Sequence, residues 1–138
     1  MEHGMKMFEK IVERRLRKLI TVNNMQFGFS PGKATTDAVF NTQQLQEKHI
    51  EVHKDLFVTF IDFEKAYDRV PRDLMYWCLR RRGVPEKLMR LVEATYHGAS
   101  TVVKTMHGRT DEFPIRVGLH QRSGRSPFPF TVLLDVIS

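Results

Sequence analysis

The stretch Phe57-Val58-Thr59-Phe60-Ile61-Asp62-Phe63-Glu64-Lys65-Ala66-Tyr67-Asp68 decides how this chain is read. Leu56 to Ile61 is a β-branched and aromatic run without clean polar alternation, the pattern of a strand covered on both faces, and it ends in a carboxylate. The run is expected to be central in its sheet. An Asp at the end of a buried strand is held rigidly at the rim, where a divalent metal or a phosphate-bearing substrate can reach it. Hard carboxylate oxygens suit Mg²⁺, and a fixed strand end keeps octahedral geometry tight. Asp62 is the candidate metal ligand, with the backbone carbonyl of Phe63 as a second contact.

Downstream of this strand, Pro71 near an N1 position opens a helix through about Arg82, closed by Gly83 as a left-handed C-cap. A second helix runs from Pro85 to about Tyr96 and ends at Gly98. Thr101–Met106 and Glu112–Val117 read as a hairpin around His107-Gly108-Arg109-Thr110. A turn-rich stretch, Gln121–Ser126, precedes a helix from near Pro127 into Asp135, in which Pro129 is tolerable only in the first turn. Upstream, Met5, Phe8, Ile11, Val12, Leu16, Leu19 and Ile20 share one face of a helix with a basic flank. Asn23–Lys33, with Gly28, Pro31 and Gly32, is a loop. Thr35 or Thr36 is expected to cap a helix with Asp37 in its first turn and Ala38, Val39, Thr42, Leu45 and His49 in register, running to about Val52.

With 138 residues and 41% apolar content the chain is long enough for one small domain with a core. A net charge of +6 and a pI of about 9.7 favour a polyanionic partner such as nucleic acid. The lone Cys78 excludes an internal disulfide, and no Cys/His group has zinc-ligand spacing, so an intracellular location, cytoplasm or nucleus, is expected. No signal-type h-region or membrane-length apolar run is present. The basic runs Arg14, Arg15, Arg17 and Lys18, and Arg80 to Arg82, have two readings: solvated helix faces, or contacts to the phosphates of a nucleic-acid partner.

In sequence order these segments resemble the reverse transcriptases of non-LTR (LINE-type) retrotransposons over essentially the whole chain. Met7–Leu16 is similar to the helix before the fingers motif. Gln26-Phe27-Gly28-Phe29-Ser30-Pro31-Gly32-Lys33-Ala34-Thr35-Thr36-Asp37-Ala38 resembles the fingers element Gln-x-Gly-Phe-x-x-Gly-x-x-Thr-x-Asp-Ala. Phe60 to Asp68 matches the first catalytic palm motif, Phe-x-Asp-x-x-x-Ala-aromatic-Asp, at every defining position. Gly118-Leu119-His120-Gln121, with Ser126-Pro127 and Phe130, resembles the next motif.

The resemblance implies an α+β fold, a partial fingers-palm with a short sheet and helices packed mainly on one face. It implies one partial domain over 1–138, with about 1–55 fingers-like and about 56–138 palm. It also implies an RNA template, a DNA primer and deoxynucleoside triphosphates as partners, Mg²⁺ as cofactor, and no membrane. The reaction is nucleotide addition to a primer 3′-hydroxyl by two metals about 3.5–4 Å apart. Asp62 is then catalytic, Tyr67 a steric gate against a 2′-hydroxyl, Ala66 the space for the sugar, and Gln121 a contact to the incoming nucleotide. Asp68 reads as a cap or an ion-pair partner of Arg69 or Arg72.

Three departures from the family pattern shape the expectation for activity. The aromatic-x-Asp-Asp motif does not occur before Ser138, the basic fingers segment expected upstream of Met1 is absent, and Arg122 stands where the family has a Gly that lets backbone approach the nucleotide. Without the hairpin that carries the Asp-Asp motif, the sheet edge is expected to be exposed and apolar. Two readings follow: a polymerase piece inactive on its own, or a non-catalytic retroelement remnant acting as a basic nucleic-acid-binding or interaction module.

Overall fold

The computed structural model describes residues 2–119 and 128–138. Its elements in order are α1 (Glu2–Leu19), α2 (Thr35–Glu51), α3 (Ala66–Arg69), α4 (Arg72–Arg81), α5 (Glu86–Tyr96), β1 (Ser100–Thr101), β2 (Lys104–Thr105), β3 (Gly108–Arg109), β4 (Phe113–Pro114) and α6 (Phe128–Ile137).

The core is helical. Val12, Leu16 and Ile20 from α1 and its end, Met75, Cys78 and Leu79 from α4, Leu88, Met89 and Val92 from α5, and Phe128, Phe130, Val132 and Leu133 from α6 form one buried cluster. Helix α4 packs against α6 and α5, and α1 against α5. The i, i+3, i+4 spacing of these residues turns each stripe toward the same centre. On α1 the stripe is narrower than its apolar pattern: Met5, Ile11 and Leu19 stay exposed. Gly83, in the left-handed region with φ 80°, ends α4 and lets the chain reverse into α5. Arg82 donates from Nη2 to the backbone oxygen of Asp135 at 3.0 Å and pairs with its carboxylate, while Asn23 N–H donates to Asp135 Oδ1 at 2.8 Å. One buried carboxylate thus fastens the end of α4, the loop after α1, and α6 to one another.

Three expectations are corrected. The run Leu56–Ile61 is not a strand, and among the described residues no sheet forms beneath the helices: residues 54–63 carry neither ladder nor helix. Phe57 and Phe60 are 90% exposed and Ile61 77%. A strand needs a neighbour to take its N–H and C=O groups, and the described residues offer this run none. The α+β composition stands, but its β part is a single ribbon and the helices pack on one another.

That ribbon is the second correction. Ser100 and Thr101 oppose Pro114 and Phe113, and Lys104 and Thr105 oppose Arg109 and Gly108, so the turn is the two-residue Met106-His107 rather than 107–110. Between the two ladders, Val102 and Val103 face three residues, 110–112, which makes a one-residue bulge. Thr110 fills it: its N–H donates to Val103 O at 3.0 Å and its hydroxyl accepts from Val103 N–H at 3.1 Å. Third, α2 is capped by neither threonine. Ala34 is its N-cap, and the Asp37 carboxylate accepts the Ala34 N–H at 2.6 Å, so the acidic residue at N3 serves as the cap. The apolar positions of α2 meet no core, since the helix buries none of its side chains.

Candidate active site around Tyr67

Asp62 and Phe63 lie in the exposed segment ahead of α3, and Phe63 is itself exposed. Lys65 takes the left-handed conformation (φ 50°) at the N-cap of α3 and turns the chain inward, so that Ala66 and Tyr67 pack against the core. The same motif is therefore split, with its carboxylate in solvent and its aromatic in the protein.

Tyr67 is where distant segments meet. Its carbonyl accepts the Leu119 N–H at 2.8 Å, and Gly118 N–H donates to Val70 O at 2.9 Å. The Arg72 guanidinium locks this junction by donating from Nε to Gly118 O at 3.1 Å and from Nη1 to Tyr96 O at 3.2 Å. Gly118 has φ 84°, and a Cβ there would stand 2.8 Å from the Asp68 carbonyl oxygen, so only glycine admits this approach. Phe130 lies 4.3 Å from the Tyr67 ring, ring centre to ring centre, and Phe29 meets it edge-on at 5.7 Å. The Tyr67 hydroxyl is buried with no hydrogen-bond partner among the described residues. Burial pushes its pKa up to about 12.

The other predicted residues are distributed differently. Gln121 and Arg122 lie outside the described residues. Arg14, Arg15 and Lys18 are exposed along α1. Arg17 is half-buried: it pairs with Glu13, stacks 4.3 Å over the Phe128 ring, and donates to Phe29 O at 3.5 Å. In the second basic run, Arg80 bridges Glu86 and Glu93, Arg81 lies over the Trp77 ring and Arg82 holds Asp135. A surface cleft of about 490 Å³ by α4 and α5 is lined by Tyr76, Trp77, Tyr96 and charged neighbours that include Arg80, and touches none of Asp62, Phe63, Ala66 and Tyr67.

Octahedral Mg²⁺ needs several convergent oxygens. Among the described residues no group of three His, Cys, Asp or Glu side chains is placed to hold a metal, and the exposed Asp62 with one carbonyl does not fit such an ion. Sequence reasoning selected Tyr67 from its motif but missed Phe29 as a support, with Arg17 behind it. Phe29 was readable only as part of the fingers motif, and nothing in the local pattern ties it to a residue so far along the chain.

A sequence model of the family described as reverse transcriptase (RNA-dependent DNA polymerase) matches residues 1–138. The chain is 27% identical over 126 residues to the retrovirus-related Pol polyprotein from type-2 retrotransposable element R2DM of Drosophila melanogaster, covering 91% of this chain and 12% of that protein. It is 29% identical over 133 residues to a 115 kDa protein in type-1 retrotransposable element R1DM of the same fly, covering 96% of this chain and 12% of that protein. The chain thus spans 12% of the length of each of these relatives. No solved structure matches it. With a family match along the whole chain and relatives in two non-LTR retrotransposons, this protein belongs to the reverse transcriptase (RNA-dependent DNA polymerase) family, in its LINE-type branch.

Proposed function

We propose that the chain is the fingers-palm part of an RNA-directed DNA polymerase, with about 1–55 fingers-like and about 56–138 palm, and that it contributes the sugar-selecting side of a nucleotide site. The observation that carries this reading is the Tyr67–Leu119 hydrogen bond, which joins the first palm motif to the start of the second. Ala66 and Tyr67 lie at that junction, and Gln121 follows it two residues on. A rigid ring beside C2′ leaves no room for an added hydroxyl, which favours deoxynucleoside triphosphates. RNA template and DNA primer are the matching polymer partners, and Arg14, Arg15 and Lys18 are the residues open to their phosphates.

Nucleotide addition in this family is expected to use two metals, and Mg²⁺ is the expected ion. Asp62 supplies one carboxylate to such a site, so no metal step is assigned to the described residues. The chain alone is expected to incorporate no nucleotide in primer extension on poly(rA)/oligo(dT) with Mg²⁺. Incorporation that disappears in Asp62→Asn would overturn this.

The isolated, exposed Asp62 favours a second reading, a non-catalytic remnant that acts as a basic nucleic-acid-binding module. Its signature is weak binding to an RNA–DNA duplex that falls as salt rises. Binding insensitive to salt removes that reading.

A further inference from the structure

Among the described residues, the Tyr67 ring is held by packing. Its hydroxyl has no hydrogen-bond partner among the described residues, so the contacts on its ring decide where it stands. Phe130, one of its ring neighbours, is fixed in the core. Phe29, another, comes from the exposed turn between α1 and α2 and is itself 48% exposed.

Phe29 adopts φ 55°, a left-handed conformation disfavoured for a bulky L residue and held only where surrounding contacts over-determine it. Arg17 donates to the Phe29 carbonyl, and its guanidinium stacks on Phe128, two residues before the Phe130 that packs on Tyr67. Arg17, Phe29, Tyr67, Phe130 and Phe128 therefore form a closed circuit linking α1, the fingers-like turn, α3 and α6.

We propose that Phe29 is the positioning residue for Tyr67: its ring edge sets how far the Tyr67 ring stands into the space of the nucleotide sugar, and so sets discrimination between deoxy- and ribonucleoside triphosphates. This rests on the reading of Tyr67 as the sugar gate. Removing the Phe29 ring leaves Tyr67 free to tilt away from C2′, which admits a 2′-hydroxyl. Arg17 acts one step further out, and lysine does not replace it, because an ammonium lacks the planar face that stacks on Phe128.

The test is binding of dUTP and UTP, which differ only at C2′, to the 138-residue chain, read as the ratio of the two affinities. Wild type is expected to prefer dUTP several-fold, Phe29→Ala to bring the ratio close to one, and Phe29→Tyr, which keeps a ring edge, to restore the preference. Tyr67→Ala is the reference for the gate itself. A ratio lost in Tyr67→Ala but intact in Phe29→Ala overturns the role of Phe29 and leaves the gate standing. A wild-type chain that binds neither nucleotide or does not distinguish them, or a ratio unmoved by Tyr67→Ala, overturns the gate and this inference together. Independently of nucleotide, Phe29→Ala is expected to let the Tyr67 phenol titrate nearer 10 than 12, followed by NMR of labelled tyrosine. An unchanged titration shows that Phe29 does not hold the ring and overturns the proposal. Cys78, fully buried, verifies folding in each variant by staying closed to thiol reagents.

Discussion

Two apolar regions of this protein behave in opposite ways. The helices α1, α4, α5 and α6 bring their apolar stripes into one dry cluster in which Met75, Cys78, Leu79, Met89 and Val132 are wholly buried. The segment from α2 to Phe63 carries Phe40, Leu45, Ile50, Phe57, Phe60 and Ile61 just as densely and leaves all of them in solvent. For Phe57, Phe60 and Ile61 the difference is in the hydrogen bonds, whereas α2 satisfies its own backbone and lacks a receiving surface among the described residues. A helix satisfies its own backbone and can then offer a face to any neighbour, whereas an extended run satisfies nothing until another strand lies beside it. Apolar content alone does not bury a segment.

Leu79→Ala should cost about 2–5 kcal/mol by opening a cavity, with Cys78 gaining reactivity toward thiol reagents as the native population falls. The sharpest test of this contrast is at Asp135, whose side chain is 4% exposed and which ties three segments of the core. Asp135→Ala removes the carboxylate from Arg82 and Asn23 while keeping the Arg82 bond to the backbone oxygen, and should cost about 1–3 kcal/mol in chemical denaturation. A smaller change, under about 1 kcal/mol, would show that α6 is held by its apolar contacts alone.

Tyr67 lies at the border between the two regions and gives an intermediate effect. Its buried hydroxyl forgoes water with no replacement bond among the described residues, so Tyr67→Phe should stabilise the fold by about 1 kcal/mol. The same burial sets a pH dependence. The phenol ionises near 10.0 in the unfolded chain and at about 12 in the folded one, so between these values the folded state holds more protons. Its contribution is fully present below pH 10 and is lost as pH rises through about 12. Denaturation midpoints of Tyr67→Phe and the parent should therefore diverge above pH 10 and run parallel below it.

The smallest effect is expected in the exposed segment. Phe57→Ser and Phe60→Ser should change stability by no more than about 0.5 kcal/mol, while the concentration at which the protein begins to associate rises. If Phe60→Ser costs as much as Leu79→Ala, the segment is packed in solution and the contrast fails.

The local signals read correctly from the chain are those whose physics is local. Pro71, Gly83 and Pro85 bound α4 and α5 because φ restriction and the left-handed C-cap act within one turn. Val12, Leu16 and Ile20 were legible from helical spacing. The strand over Leu56–Ile61 failed because its formation depends on a partner that the run itself does not encode. The face of α2 failed for a similar reason, since amphipathic spacing shows that a helix can pack without specifying the surface that receives it. Within the candidate site, Tyr67 was legible through its motif. Its supports, Phe29, Gly118, Leu119 and Phe130, are scattered along the chain and meet only by folding.

What the sequence determined by itself is the family, because motif residues in a shared order survive whatever the backbone does around them, and the ends of the helices, because capping chemistry is contained in a few neighbouring residues. Only the tertiary structure decided that Asp62 stands in solvent while Tyr67, five residues later, is enclosed, that Arg17 serves the turn carrying Phe29, and that Asp135 joins three segments. Each of these depends on which distant surfaces come together, and no periodicity in a single chain records that.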